Sequence, residues 1–357
     1  MLTRLRCSRQ GPQRLAGADA SNRGAGRLSQ PETQAVGFVV IGRNEGLRLQ
    51  RCLESVLREA ELVVYVDSGS TDDSLARARA LGVDVINLDM TIPFTAARAR
   101  NAGYRRLLET TPSLALIHFI DGDCELLPGW VAAAAAHMAE TPDTAVVCAR
   151  LRERFPEASP YNRLCDMEWD GPVGDILACG GIALYRTAPL QSANGFREDL
   201  IAGEEPELCV RIRQLGRWRV VRLARDMALH DAAMTRLGQW FRRTTRSGFA
   251  SAQGAALHGH LPERHGVQQA RRALVWGLGL PLVGVAAGLL FGPAGWLLFA
   301  AYPAQWLRMV LRERRPLSDR LLRSSFLLLG KFPEALGVLK FHFERRLGRR
   351  SSLIEYK

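Results

Sequence analysis

From Val36 onward, short apolar runs alternate with stretches in which apolar residues recur every three or four positions. Continuous apolar runs are typical of strands buried on both faces, and the wider spacing is typical of helices with one buried face. The apolar runs predict strands at 36–41, 62–66, 83–88 and 114–120. The stretches between them predict helices at 47–59, 72–81 and 95–108. Repeated strand–helix–strand units indicate the α/β class, with a mostly parallel sheet covered by helices on both faces.

The same alternation continues to about residue 223. It predicts a helix at 130–140, a strand at 145–149, a glycine-containing loop at 171–181, a strand at 182–185, a helix at 207–215 and a strand at 219–223. Sheets of this kind bind ligands at the carboxyl ends of their strands. Polar residues that follow a predicted strand are therefore candidate site residues.

A different pattern begins at residue 273, because 273–307 contains no charged residue and is flanked by Arg271, Arg272 and Arg308. So long an uncharged run indicates a membrane segment, and it exceeds the ~20 residues that one spanning helix needs. The sequence Phe-Gly-Pro-Ala-Gly at 291–295 interrupts it, so we predict two short transmembrane helices in a tight hairpin. A single tilted span and a re-entrant loop are the alternatives. Arginines on both flanks place both ends at the cytoplasmic face of the (inner) membrane.

The stretch 321–343 is amphipathic and basic. Its apolar residues recur at three- and four-residue steps and are Leu322, Phe326, Leu329, Phe332, Leu336, Leu339 and Phe343. Segments of this kind are typical of helices that lie in the membrane interface. Gly330 and Pro333 predict a kink within it.

The net charge of +12 lies at the two ends of the chain, with +4 in residues 1–34 and +8 in 308–357, while 35–307 is neutral. A nucleic-acid groove would place its positive charge within the folded part, so we expect no nucleic-acid partner. The basic C-terminal end instead favours attraction to a membrane surface. Seven scattered cysteines without a Cys-x-x-Cys pair indicate a reducing compartment.

These patterns predict five regions along the chain. They are a disordered basic leader at 1–34, an α/β domain at 35–235, a helical connector at 236–272, the transmembrane hairpin at 273–307 and a basic interfacial tail at 308–357. The leader lacks the continuous apolar stretch of a secretory signal.

Asp121 and Asp123 follow the fourth predicted strand, with Gly122 between them. In extended chain, residues i and i+2 point the same way, so both carboxylates can hold one ion. Mg²⁺ and Mn²⁺ favour oxygen ligands and bind phosphate oxygens at their open positions. The pair therefore predicts a divalent metal site, although an Asp-Gly-Asp after a strand is also typical of a solvated turn.

Three further polar segments accompany this pair. The first strand runs into Gly-Arg-Asn-Glu-Gly at 42–46, the second into Asp-Ser-Gly-Ser-Thr-Asp at 67–72, and Ala-Arg-Asn-Ala-Gly lies at 99–103. With the Asp-Gly-Asp, the chain from about Val36 to His230 resembles the family 2 glycosyltransferases with the GT-A fold. The resemblance implies that fold, a nucleotide-sugar donor and a divalent metal cofactor.

By this resemblance, Asp67 looks like the carboxylate that binds a uracil-type base. The loop after the first strand would line the nucleotide pocket with Arg43, Asn44 and Glu45. The family usually has a second acid where this chain has Ser68, which leaves the identity of the base open. Arg100 would offset the diphosphate charge by forked hydrogen bonds, and its alternative is a solvated position on the helix surface. Asp121 is also a candidate for binding the nucleotide sugar.

The segment 202–208 resembles the family's Gly-Glu-Asp-x-Glu-Leu stretch, in which the second acid is the general base. Inverting transfer needs a carboxylate beside the acceptor hydroxyl, so that the proton leaves as the oxygen attacks. Glu205 occupies that position with Glu in place of Asp, and the longer side chain keeps Glu204 as the second candidate. Acids followed by Pro206 are also typical of a helix N-terminus, which is the structural alternative.

Two features further downstream complete the candidate site. His230 stands where some GT-A enzymes have an additional metal or diphosphate contact, although a lone histidine is often structural. The acceptor-side candidates, which resemble the Gln-x-x-Arg-Trp motif of processive membrane synthases, are Gln239, Arg242 and Arg243. Arg243 stands in place of the motif's tryptophan, and one short hairpin is too little for a polymer channel, so a processive synthase is disfavoured.

The residues and the resemblance together predict an inverting transferase that moves one sugar from a nucleotide sugar, of uridine type, to a lipid-linked saccharide near the membrane. Surface polysaccharide, exopolysaccharide or glycolipid synthesis fits that placement, alongside other glycan-assembly enzymes. The main alternative is a catalytically silent, membrane-anchored nucleotide-sugar-binding scaffold subunit, which Ser68 and Glu205 allow. A nucleotidyltransferase is a third reading, for which 42–46 is a poor phosphate loop.

Overall fold

The computed structural model describes residues 35–348, so the predicted leader at 1–34 and the last residues of the predicted tail lie outside the described residues. Its strands are β1 Val36–Gly42, β2 Val63–Asp67, β3 Asp84–Asn87, β4 Leu116–Asp121, β5 Cys124–Leu126, β6 Thr144–Glu153, β7 Gly174–Asp175, β8 Ala183–Arg186 and β9 Arg219–His230. The helices of the sheet-containing part are α1 Leu47–Leu57, α2 Ser74–Ala80, α3 Ala96–Thr110, α4 Trp130–Glu140, α5 Pro160–Trp169, α6 Thr187–Ser192 and α7 Glu204–Gln214. Those that follow are α8 Leu237–His258, α9 Val267–Leu274, α10 Leu280–Phe291, α11 Pro293–Trp296, α12 Ala301–Arg312, α13 Leu317–Leu329 and α14 Lys331–Arg346.

The described strands form one sheet in the order β3-β2-β1-β4-β8-β6-β9-β5, with β7 beside β9. Strands β3, β2, β1 and β4 pair in parallel. Strand β8 is antiparallel to both β4 and β6, so β6 runs in the same direction as β4, and β9 is parallel to β6. Six of these nine strands therefore run one way, which confirms the mostly parallel α/β sheet that the apolar runs predict.

The core explains why the central strands read as continuous apolar runs. Phe38, Val39 and Val40 of β1 are fully buried because helices cover both faces of the sheet. Between β4 and α4, the indole nitrogen of Trp130 donates a 2.8 Å hydrogen bond to Nε2 of His118. Burial lowers the pKa of His118 to about 3, so this imidazole is a neutral part of the core.

Several elements are longer than the sequence predicts. Strand β6 continues to Glu153, β9 continues to His230, and α7 already begins at Glu204. The pairing of β6 with β9 contains register shifts, which interrupt the alternation of polar and apolar residues on which the prediction depends. Helix α5 was not predicted, although its start carries a recognisable signal: the hydroxyl of Ser159 accepts a hydrogen bond from the Asn162 amide.

The helices α8 and α14 form a second packed layer. A Cβ added at Gly248 would lie 2.0 Å from the Glu334 carbonyl oxygen, and one at Gly337 would lie 2.0 Å from that of Thr245, so the two backbones approach closely. The predicted amphipathic segment is thus two helices, α13 and α14, which meet at Gly330. One face of α14 is buried against α8, and its opposite apolar residues stay exposed, namely Phe332, Leu336, Leu339 and Phe343.

The uncharged region folds back on itself. Helices α9 and α10 and the π-helical turn between them make one helix of 25 residues, Val267–Phe291, of which only 11% of the most apolar window is buried. After Gly292 the chain reverses, so that Gly288 lies against Trp296 and Gly284 against Phe299. Within residues 35–348 only Val267–Phe291 is long and apolar enough to cross a membrane. The reversal lies where the sequence predicts it, but two crossings are not supported, because no described helix of the returning arm is both long and apolar enough to cross.

Candidate active site

The carboxyl ends of the parallel strands bring the predicted site residues to one edge of the sheet. Gly42 at the end of β1 lies beside Asp67 at the end of β2, and Ile41 lies beside Asp121 at the end of β4. His230 ends β9 and pairs with Cys124 in β5, directly after the Asp-Gly-Asp turn. Segments that are far apart along the chain therefore meet as the parallel topology requires.

The loops after β1 and β2 are tied to each other. The amide oxygen of Asn44, a residue with φ of +57°, accepts a 2.7 Å hydrogen bond from the Thr71 backbone, and the Asn44 backbone donates to the Ser70 hydroxyl. The Glu45 amide donates to the hydroxyl of Ser74. Arg43 lies over the Phe94 ring at 4.8 Å. Hydrogen bonds thus hold the loop after β1 against the loop after β2. The nucleotide-binding role of this loop stays a prediction.

Asp67 is buried and organises the turn that follows β2. Its carboxylate accepts hydrogen bonds from the Tyr65 hydroxyl at 2.8 Å and from the backbone amides of Gly69 and Ser70 at 3.0 and 2.8 Å. Ser68, also buried, donates its amide to the Gly42 carbonyl. The predicted contact of Asp67 with a base would therefore use a carboxylate that already accepts three hydrogen bonds from the protein.

A buried cluster forms around Arg100 on α3 and is called here the Arg100 cluster. Its guanidinium lies 2.9 Å from Asp121 Oδ1, 2.8 Å from Glu204 Oε1 and 2.9 Å from Glu205 Oε1. The Arg100 side chain is only 3% exposed, so the alternative of a solvated surface arginine is wrong. Three carboxylates on one guanidinium leave the cluster with excess negative charge when all are ionised.

Glu205 has the properties of a proton acceptor within this cluster. Burial and the neighbouring Glu204 carboxylate raise its pKa from the ordinary 4.5 to about 7, with a further rise from Asp121 that the opposing effect of Arg100 does not cancel. A carboxyl group with a pKa near neutrality suits general base catalysis. Both acids lie in the first turn of α7, which begins after Gly203 at a φ of +77°.

Asp123 and His230 form the group that fits a metal ion. Oδ2 of Asp123 lies 3.2 Å from Nε2 of His230, and donor atoms of these two residues and Cys124 lie within 4.8 Å of one another. Burial lowers the pKa of His230, which keeps the imidazole neutral, and its buried Nδ1 has no hydrogen-bond partner among residues 35–348. Neutral imidazole and carboxylate oxygen are donors that Mn²⁺ and similar ions accept.

The other two candidates for this ion behave differently. Burial raises the pKa of Cys124 well above its usual range, so its sulfur stays protonated and lies 3.4 Å from Asp123 Oδ1 as a hydrogen-bond donor. Asp121 lies outside the group and contacts Arg100 instead. Strand β4 ends at Asp121, and Asp123 belongs to the following turn, so the two carboxylates do not share the extended geometry assumed from their spacing.

Comparison with known proteins shows what this part of the chain is similar to. Residues 38–171 match the family model of glycosyl transferase family 2. This stretch is therefore similar to the family 2 glycosyltransferases. Residues 38–171 end before α7 and β9, so the match includes Arg100 and Asp123 but neither Glu205 nor His230. None of the curated proteins matches the chain.

Solved structures of other proteins are similar to this chain. The chain is similar to the mannosyltransferase PcManGT from Pyrobaculum calidifontis, at 17% identity and a TM-score of 0.54, over 87% of each chain. It is also similar to residues 1–349 of S. aureus TarS, at 14% identity and a TM-score of 0.47, over 88% of this chain and 92% of that one. For glucosyl-3-phosphoglycerate synthase from Mycobacterium tuberculosis, the values are 20% and 0.42, over 61% and 78%. The likeness to PcManGT, together with the family match, confirms the predicted GT-A fold.

A cavity of about 380 Å³, called here the sheet-edge cavity, opens beside the Arg100 cluster. Asp121, Glu205 and His230 line it, and Arg243 lines it from α8. Of the three acceptor-side candidates, only Arg243 reaches this cavity. Gln239 caps the start of α8 by accepting from the Thr235 and Arg236 amides, and Arg242 is exposed outside the lining.

Two features of this cavity are missing from the sequence predictions. A Cβ at Gly181 would lie 2.5 Å from Arg100 Nη2 and 2.9 Å from Asp121 Oδ2, so only glycine leaves this cluster undisturbed. Glu168 of α5 also lines the cavity and holds Arg243 through two hydrogen bonds of 2.8 and 2.9 Å. The Gly-Gly pair at 180–181 is the one sequence signal that points to the close approach at Gly181.

Proposed function

We propose that this glycosyltransferase inverts the anomeric centre as it moves one sugar from a nucleotide sugar to a saccharide acceptor, with Glu205 as the general base. The observation that carries the proposal is the position of Glu205, whose carboxylate faces the sheet-edge cavity beside Arg100 and Asp121. Glu204 does not line that cavity and is buried against Arg100. Of the two acids, Glu205 is therefore the better base.

The chemistry follows from this position. Ionised Glu205 takes the proton of the acceptor hydroxyl while that oxygen attacks the anomeric carbon, and the bond from that carbon to the diphosphate breaks. The bonding electrons leave with the diphosphate, and the proton stays on Glu205. Arg100 fixes the orientation of the Glu205 carboxylate before the acceptor arrives and keeps part of its charge compensated.

A divalent cation, Mg²⁺ or Mn²⁺, is the proposed cofactor, held by Asp123 and His230. Such an ion would offset charge on the leaving diphosphate. The unpartnered Nδ1 of His230 and the 3.2 Å approach of its Nε2 to Asp123 support this assignment. The mannosyltransferase PcManGT was solved with GDP-Man and Mn²⁺, which makes Mn²⁺ the first ion to test.

For the donor we propose a uridine-type nucleotide sugar, bound between the tied loops after β1 and β2. Asp67 and the loop at 43–45 lie at the ends of neighbouring strands, where a base and ribose would reach. Since Ser68 stands where the family usually has a second acid, guanosine sugars belong in the same screen as uridine sugars.

We further propose that the acceptor is a saccharide carried on a lipid at the cytoplasmic face of the membrane, as in surface polysaccharide or glycolipid synthesis. The first hairpin arm, Val267–Phe291, supports attachment, since it is long and apolar enough to enter a membrane and many of its apolar side chains are exposed. The exposed apolar face of α14 supports a position of this helix in the membrane interface.

The catalytic proposal is tested by nucleotide release from a panel of uridine and guanosine sugars, using the full-length protein in detergent with Mn²⁺ and a saccharide acceptor. Glu205→Gln should lower the transfer rate by about 10²–10⁴-fold, the usual contribution of a positioned base. Donor affinity should change little, because the amide keeps the size of the carboxyl group.

Glu204→Gln is the matched control, because it changes the adjacent acid in the same way. A larger loss in Glu204→Gln than in Glu205→Gln would move the base to Glu204. If the unmodified protein binds nucleotide sugars but releases nucleotide from none of them, the catalytic proposal is wrong and the scaffold alternative takes its place.

Membrane attachment is tested by changing the exposed tip of the hairpin. Leu289 and Leu290 are each 76% exposed, so Leu289→Glu with Leu290→Glu should not disturb the folded core. A charged residue within a membrane costs about 2.5–3.5 kcal/mol, and this variant should therefore move from membrane to soluble fractions. Leu177→Glu with Leu215→Glu, at exposed sites of the catalytic domain, is the control. Continued membrane association of the tip variant would contradict the anchor.

A further inference from the structure

Another cavity, of about 600 Å³, lies at the foot of the hairpin and is called here the basic cavity. It is bounded by the first hairpin arm, by α12 and by α13. Its charged lining consists of Arg272, Arg308, Arg312, Arg323, Lys331 and Glu313. Five cations against one carboxylate give this small space a strongly positive potential.

Most of this positive charge has no internal partner. Arg323 pairs with Glu313 at 2.7 Å, and Lys331 pairs with Glu334 outside the lining at 2.5 Å. Arg272, Arg308 and Arg312 form no ion pair with any residue between 35 and 348. Arg308 and Arg312 are four positions apart on α12 and so share one face. Three guanidiniums around one space repel each other, and an anion bound between them would remove that repulsion.

The remainder of the lining is mostly apolar. Trp276, Met309, Leu327 and Leu328 lie beside the arginines, and Gln305 and Ser324 are the two neutral polar residues. The arm that supplies Arg272 and Trp276 then continues toward the hairpin tip with exposed apolar side chains such as Leu282. A ligand that suits this site therefore has a compact anionic group and an apolar chain that runs along the hairpin.

Helix α5 and the segment around α13 connect this cavity with the sheet-edge cavity. Glu168, near the end of α5, lines the sheet-edge cavity, contacts Arg243 and lies in the field of Arg323 from the basic cavity. Two residues further on, Asp170 accepts a 3.0 Å hydrogen bond from Arg315, in the segment between α12 and α13. Arg315 also lies 3.7 Å from Glu313 of the basic cavity, so residues 168–170 and Arg315 link the two cavities.

We propose that the basic cavity binds the phosphate group of the lipid-linked acceptor, with Arg272, Arg308 and Arg312 as its ligands. Guanidinium groups bind phosphate oxygens through paired hydrogen bonds. The lipid chain follows the hairpin, and the saccharide extends past Arg243 into the sheet-edge cavity. This assignment rests on the proposed function, because it names the part of the acceptor that the transferase holds.

Direct lipid binding tests the assignment without any turnover. The full-length protein in non-ionic detergent is titrated with a long-chain polyisoprenyl phosphate, and bound lipid is counted by native mass spectrometry. The same measurement with the uncharged polyisoprenol isolates the contribution of the phosphate. We expect the phosphate to bind at least about tenfold more tightly than the alcohol, since hydrogen bonds between charged groups are strong.

The double variant Arg308→Gln with Arg312→Gln should lower the affinity for polyisoprenyl phosphate by at least about tenfold. Arg271→Gln with Arg314→Gln is the matched control, because these neighbouring arginines lie outside the cavity lining and the change in net charge is the same. Melting temperatures of both variants in detergent establish that each is folded. Equal losses in the two double variants would show general charge attraction and overturn the proposal.

Phosphatidylglycerol is the second comparison, because it carries a phosphate group without an isoprenoid chain. If it binds as tightly as polyisoprenyl phosphate and is equally sensitive to Arg308→Gln with Arg312→Gln, the cavity holds bulk membrane lipid, and the acceptor assignment is wrong. Nucleotide release by the unmodified protein tests the proposed function separately. Failure of that assay leaves the lipid-binding result standing, and failure of lipid binding leaves the transferase assay standing.

Discussion

At the carboxyl edge of the sheet, Arg100 is buried and contacts three carboxylates, whereas at the foot of the hairpin Arg272, Arg308 and Arg312 are exposed and have no acidic partner among residues 35–348. The first arrangement holds its side chains in fixed positions before any substrate arrives. The second leaves positive charge available to a ligand. The same residue type is therefore part of the folded framework in one region and a candidate binding group in the other.

The largest effect should come from removing the buried charge. Arg100→Met leaves Asp121, Glu204 and Glu205 close together without a counter-charge, and breaking a buried ion pair in this way costs about 3–5 kcal/mol. Urea unfolding in detergent measures the loss. Arg105→Met makes the same change in an exposed pair with Glu198 and should cost less than about 1 kcal/mol. Similar losses in the two variants would break the contrast between buried and exposed arginines.

The close approach of Gly181 gives the next largest effect. Its added Cβ would meet Arg100 Nη2 at 2.5 Å and Glu205 Oε1 at 3.1 Å, whereas a Cβ at Gly180 meets nothing within 4 Å. Gly181→Ala should therefore cost about 1–3 kcal/mol of stability and displace the proposed base, with a lower transfer rate. Gly180→Ala should behave like the unmodified protein. A fully active Gly181→Ala would show that the Arg100 cluster tolerates rearrangement.

Some of this site is visible in the sequence and some is not. The continuous apolar runs predict β1, β2 and β4, and the polar residues after them indicate the sheet edge. The grouping of Asp121 with Asp123 at one ion stays a prediction, because spacing fixes orientation only while the chain stays extended, and Asp123 lies in a turn. The proximity of Gly181 to Arg100 depends on strand order across the sheet, which no local pattern records.

The pH dependence of transfer sharpens the role of Glu205. Because its pKa is raised to about 7 and the base acts when ionised, kcat/KM should fall about tenfold for each pH unit below that value. The folded state also holds this proton more tightly than the unfolded state, where the pKa is near 4.5. Its contribution to stability is therefore full below pH 4.5 and is lost as the pH rises through about 7. Rate profiles measure the pH dependence of transfer, and unfolding curves measure the pH dependence of stability. Glu205→Gln should remove this pH dependence of stability.

The smallest effect should come from neutralising the unpartnered arginines. Arg308→Gln with Arg312→Gln removes two like charges that share one face of α12, and no acid between residues 35 and 348 loses a partner. The free energy of unfolding should therefore change by less than about 0.5 kcal/mol, or rise slightly as repulsion is relieved. Urea unfolding in detergent, without added lipid, measures this change beside that of Arg100→Met. A buried charge stabilises the fold only where an opposite charge already lies beside it. A loss comparable with that of Arg100→Met would therefore mean that Arg308 and Arg312 support the fold and are not free to bind a ligand.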